Sequence, residues 1–120
     1  MAKHQPEIPA LQQLIIHGIE EKKGKRISVL DLTGIRDRVA DIFVICEAES
    51  STQVKAIADS IEEEVKKASG ERPISVEGRE NSSWILLDYG DVVAHVFQPQ
   101  AREFYALEDL WNDAKREDIG

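Results

Sequence analysis

The feature that most restricts the fold of this chain is a two-residue connection, Tyr89-Gly90, between two short segments of β character. Residues 84–88 run Trp84-Ile85-Leu86-Leu87-Asp88. Residues 91–98 carry Val92, Val93, Val96 and Phe97. Both are rich in the branched and aromatic side chains that suit a pleated surface. Gly90 can adopt the positive φ that a tight hairpin turn requires. A two-residue hairpin is antiparallel, so a wholly parallel sheet is excluded.

The remaining segments fit around that hairpin. Residues 1–8 read as a flexible N-terminal tail, and residues 9–120 as a single domain. Pro9 suits the first turn of a helix. Leu11, Leu14, Ile15, Gly18 and Ile19 then mark one helical face, with Gly24 as its stop. Residues 27–32 are a strand candidate, and 33–40 a polar connection. Residues 41–47 are apolar on both faces, which places them centrally in a sheet. Ser50 with Gln53 forms a capping box, and Val54, Ile57, Ala58, Ile61 and Val65 follow at helical spacing up to Gly70 and Pro73. Residues 74–77 are a short strand. Residues 101–116 read as a closing helix with Phe104, Leu107, Trp111 and Ala114 facing inward. The order αββαβββα predicts a mixed β-sheet with packed helices.

Charge narrows the function. Fifteen basic residues stand against twenty-three acidic ones, a formal charge of −8. Gripping nucleic acid by its phosphates calls for a basic surface, so direct nucleic-acid binding is not expected. A strongly basic protein partner is compatible with this balance. Cys46 is the single cysteine and sits in an apolar run, where a thiol packs as a small hydrophobe. There is no signal-peptide pattern and no apolar run near the ~18 residues that span a bilayer. The expectation is a cytoplasmic protein without membrane contact.

Catalytic chemistry has little to stand on. Asp88 and Asp91 bracket the hairpin, but acid–base or metal work needs carboxylates that converge on one atom, and turn aspartates more often bond backbone amides. His95 alternates with Val93 and Phe97 and has no partnered acid or nucleophile nearby in sequence. No pair of histidines has zinc-ligand spacing. Ser50-Ser51 opens a helix without a glycine-rich loop before it. No cofactor is expected. Trp84, Leu86 and Asp88 project to one face of their strand, and the hairpin brings His95 alongside. An aromatic anchor beside a carboxylate suits a basic partner, so these four residues form the candidate partner-binding surface. Trp84 by itself fits core and contact equally well.

Several collinear segments resemble the Iojap-related ribosomal silencing factors. They begin with Glu21-Lys22-Lys23-Gly24, Leu30-Asp31, Asp41 and Phe43-Val44-Ile45. Ser50-Ser51 and Gln53-Val54-Lys55-Ala56-Ile57-Ala58-Asp59 follow. The C-terminal part adds Val76-Glu77-Gly78, Trp84-Ile85-Leu86-Leu87-Asp88, Gly90-Asp91-Val92-Val93 and His95-Val96-Phe97. Arg102-Glu103-Phe104-Tyr105, Leu107-Glu108 and Leu110-Trp111 close the series. The chain departs from the family pattern at Ala48-Glu49, where a glycine is usual before the serine pair, and at Ile42, a position commonly aromatic.

The resemblance implies a mixed α/β sheet related to the nucleotidyltransferase fold but without its catalytic motif, and a homodimer when free. It also implies binding to the large ribosomal subunit through ribosomal protein fourteen. Bound there, the family blocks joining of the small subunit and lowers translation. The alternatives are an adaptor dimer for another protein and a nucleotidyltransferase-like enzyme. The enzyme would need a glycine-serine loop, and no glycine-serine pair occurs in the chain.

Overall fold

The computed structural model describes residues 7–120, so the expected tail lies almost wholly outside the described residues. The elements run α1 (Ile8–Glu21), β1 (Lys25–Asp31), β2 (Ile42–Glu47), α2 (Ser51–Ser69), β3 (Ser75–Glu77), β4 (Trp84–Asp88), β5 (Val92–Phe97), α3 (Pro99–Tyr105), α4 (Leu107–Leu110) and β6 (Lys115–Asp118). The six strands form one mixed sheet in the order β3-β4-β5-β2-β1-β6. Neighbours are antiparallel except β2 and β5, which are parallel.

Every residue of β2 and β5 is buried. These two strands hold the middle of the sheet, as apolar runs covered on both faces must. On one face α1 and α2 pack Ile15, Ile19, Val54, Ile57 and Ile61 against Val44, Cys46, Ile85, Leu87, Ala94 and Val96. The helices meet closely at Gly18, where an added Cβ would lie 2.8 Å from Ile61 Cα. At the same crossing the Ser60 hydroxyl donates to the Gly18 carbonyl at 2.8 Å. Burial at Cys46 pushes its thiol pKa up to about 12, so it is a packed hydrophobe and not a nucleophile.

The local signals were realised with adjustments. Ser50 Oγ accepts the Gln53 N–H at 3.1 Å, as a capping residue should. The Gln53 side chain does not close the box; its Nε2 donates to the Lys22 carbonyl at 3.4 Å and ties α2 to the turn after α1. In that turn the left-handed residue is Lys23, with φ 60°, and Gly24 follows with its N–H on the Ile19 carbonyl. The hairpin turn sits one residue later than the sequence suggests. Asp88 pairs with Val93 and not with Asp91, and the Tyr89 N–H donates to the Val92 carbonyl at 2.9 Å. Gly90 and Asp91 are therefore the two central residues. Gly90 has φ 91°, the positive value demanded at the first position of a type II′ turn.

The closing helix is the main correction. In place of one helix over 101–116, α3 ends at Tyr105, Ala106 turns left-handed at φ 46°, α4 lasts four residues, and the chain becomes β6. Lys115 to Asp118 pairs antiparallel with β1. The sequence offered no glycine or proline to mark the break. A buried ionic network imposes it: Arg102, only 6% exposed, donates to the Arg26 carbonyl, Ser28 Oγ, Glu47 and Glu108. Ser28 in turn donates to Asp118 at 2.7 Å. These bonds pull α3, α4 and β6 onto β1 and β2, a geometry that a straight helix cannot reach.

Candidate partner-binding surface

The face of the sheet turned away from α1 and α2 is built from alternate residues of each strand. Trp84, Leu86 and Asp88 of β4 stand opposite Phe97, His95 and Val93 of β5. All four candidate residues thus share one face. A second core of Leu30, Leu32, Ala40, Phe43, Ile45, Val93, Phe97 and Leu107 lies beneath, with Trp84, Leu86 and Trp111 packed against it.

The four differ in what they offer a partner. Trp84 is half-buried; its ring stacks on Phe97 at 4.9 Å between centroids and lies 4.6 Å from the Tyr105 ring. Core and contact meet in this one side chain. Leu86 is half-buried beside it. The Asp88 carboxylate accepts the Gly90 N–H at 2.7 Å, the backbone bond expected of a turn aspartate. His95 is 3% exposed. It sits against the edge of Phe43 at 4.5 Å, and its Nδ1 accepts the Trp84 Nε1–H at 3.1 Å. That bond leaves the ring proton on Nε2, which is buried and has no partner. Burial pushes the His95 pKa down to about 3, so the ring is neutral at physiological pH. A group held that far from neutrality and enclosed by rings is poorly suited to proton transfer.

Sequence reasoning missed the adjoining surface. Helical spacing predicts Phe104 facing inward, yet it is 80% exposed, and Leu110 is 69% exposed. Tyr105 and Phe104 extend the aromatic patch beyond Trp84, the Phe104 and Tyr105 rings meeting edge to face at 5.0 Å. Glu103, Asp109 and Asp113 of the same segment are also exposed. Phe104 and Tyr105 end α3 and Leu110 ends α4, on either side of the left-handed Ala106, and no glycine or proline marks that break. Among the described residues, no cluster of three His, Cys, Asp or Glu side chains could hold a metal ion. Among the described residues no helix is long and apolar enough to cross a membrane.

A family profile described as "Ribosomal silencing factor during starvation" matches residues 5–120. The chain belongs to the ribosomal silencing factor family. Among its relatives, the ribosomal silencing factor of Halalkalibacterium halodurans is 42% identical over 107 residues, covering 87% of both chains. The chloroplastic Iojap protein of Zea mays is 38% identical over 72 residues, which is 60% of this chain and 31% of that one. A crystal structure of a Chromobacterium violaceum protein superposes with a TM-score of 0.84 at 34% identity, covering 96% of this chain and 95% of the other. Ribosomal silencing factors are named for regulation and not for a reaction, and the family places this chain among ribosome-associated regulators of translation.

Proposed function

We propose that this ribosomal silencing factor binds the large ribosomal subunit through ribosomal protein fourteen and sterically blocks joining of the small subunit. Translation falls as a result. The observation that carries the reading is the ring-to-ring surface of Trp84, Tyr105 and Phe104, with Leu110 and the carboxylates of Glu103, Asp109 and Asp113 exposed on the same C-terminal segment. Rings and aliphatic chains supply buried area, and carboxylates orient a basic partner. The chain's charge of −8 favours encounter with such a partner and disfavours ribosomal RNA. The mechanism is occupation, with no covalent step and no cofactor.

In this reading residues 9–120 act as one cytoplasmic domain, which is a homodimer when free. The test is a sucrose gradient of the purified protein with separated subunits. It is expected to comigrate with free large subunits and to lower the fraction that rejoins small subunits on raising magnesium. Dimeric protein that stays at the top of the gradient would point instead to an adaptor for another partner. Magnesium-dependent ATP binding by calorimetry, lost in Asp88→Asn, would favour an enzyme.

A further inference from the structure

We propose that His95 is a positioning residue of the partner surface: it touches no partner itself and sets the orientation in which Trp84 is presented. The inference rests on the reading of this face as the ribosomal-protein contact. Trp84 is held from three sides. Phe97 stacks beneath it at an interplanar angle of 25°, Tyr105 lies beside it, and His95 takes its indole proton at 3.1 Å. Ring stacking is broad in angle and tolerates sliding, whereas an N–H donor bond is directional and weakens steeply off axis. The bond to His95 is therefore the contact that selects one orientation of the indole.

The acceptor is itself fixed. His95 lies on the central strand β5, opposite Leu86 and diagonal to Trp84 across the β4–β5 pair. Phe43 closes against its ring at 4.5 Å, and the Phe97 ring stands nearly parallel to it at an interplanar angle of 12°. At 3% exposure it is screened from any docked protein, while Trp84 in front of it is only half-buried. The neutral ring keeps Nδ1 free to accept, and that requires the proton on Nε2. The Nε2–H is buried without a partner. An orphaned buried donor calls for an explanation, and a phenylalanine here would avoid its cost. What a phenylalanine could not do is accept the indole proton.

The experiment compares wild type with Trp84→Ala, His95→Phe and the double variant. Two readouts are needed: affinity for purified large subunits, and the indole N–H resonance of Trp84, assigned with Trp111→Phe. His95→Phe is expected to stay folded, to move or broaden the Trp84 indole resonance, and to weaken binding roughly tenfold. The double variant is expected to bind no worse than Trp84→Ala, because both changes act through one side chain. Trp84→Phe removes the donor and leaves His95 intact; it guards against a His95→Phe that fails to fold and is expected to show a similar loss. Wild-type binding by Trp84→Ala would overturn the reading of the whole face and the inference with it. A loss in Trp84→Ala with wild-type binding in His95→Phe or Trp84→Phe would overturn the inference alone. Additive losses would overturn it too, by making His95 a contact in its own right.

Discussion

Arg102 and Glu108 face each other across the left-handed residue Ala106, with Arg102 Nε at 3.0 Å and Nη2 at 2.6 Å from the same carboxylate oxygen. Arg102 Nη1 also lies 3.1 Å from Glu47 on β2. One nearly buried guanidinium thus joins α3, α4 and the sheet.

Replacing Arg102 by methionine is expected to leave Glu47 and Glu108, in a largely buried place, with only the longer ion pairs to Arg26 at 3.6 Å and Arg116 at 4.0 Å. Breaking one side of a buried ion pair costs on the order of 3–5 kcal/mol. Denaturant unfolding should report that loss. Amide exchange should show β6 losing protection first, since its pairing with β1 is continued through Ser28 and Asp118.

Gly18→Ala is expected to destabilise without touching the partner surface. The added Cβ would lie 2.8 Å from Ile61 Cα and 3.1 Å from the Ser60 carbonyl oxygen, so α1 and α2 must separate. Overpacking of this kind costs about 1–3 kcal/mol. A lowered melting temperature with unchanged large-subunit affinity per folded molecule is the expected result.

His95 makes stability depend on pH in a definite direction. Its folded pKa, about 3, lies below the ordinary 6.5 because burial disfavours the charged ring. Between those values the unfolded chain binds the extra proton, so stability is full above pH 6.5 and falls as the pH drops towards 3. The slope from this one group is at most about 1.4 kcal/mol per pH unit. Asp31 and Asp118 have pKa values lowered by side-chain hydrogen bonds, from Thr33 and from Ser28 with Arg116. Their contributions are lost only below about pH 4. Unfolding measured between pH 6.5 and 4.5 should therefore flatten in His95→Phe.

Phe104→Ser and Leu110→Ser separate surface from core. Both side chains are mostly exposed, so stability should change by no more than about 0.5 kcal/mol. Cosedimentation with large subunits should weaken roughly tenfold or more if these residues anchor the partner. Variants that bind like wild type would move the contact off the α3–α4 strip.

Asp88→Ala should lower stability by about 1 kcal/mol through loss of the bond to the Gly90 N–H. As a carboxylate on the partner face it should also weaken large-subunit binding in the folded variant. Asp88→Asn, which keeps an oxygen acceptor, is expected to restore the turn but not the charge. Comparing melting with cosedimentation for the two variants distinguishes the roles.

Much of the fold was legible because it is written in short-range patterns. Ser50 caps α2 through a donor three residues away. The unbroken apolar run through Ile42 and Cys46 fits a strand covered on both faces, and it is one. Gly90 marked a tight turn between two β segments. Alternation along β4 placed Trp84, Leu86 and Asp88 on one face, and the hairpin added His95 to it. Strand alternation survives even the shift of the turn by one residue, because the strand register then moves by two.

What the sequence by itself determined is therefore the set of elements up to Phe97, a mixed sheet, and the side on which the candidate residues lie. Tertiary structure alone decided that His95 is buried behind Trp84, that Phe104 points outward, and that the chain ends as a strand. Lys115 to Asp118 is all charge, with poor strand propensity, and becomes β6 only because the edge of β1 is free to pair with it. The break before it is held by Arg102, which joins Glu108 beyond Ala106 to Glu47, fifty-five residues earlier in the chain. Contacts over such separations leave no periodic trace in the residues that make them, since neither partner is constrained until the other arrives.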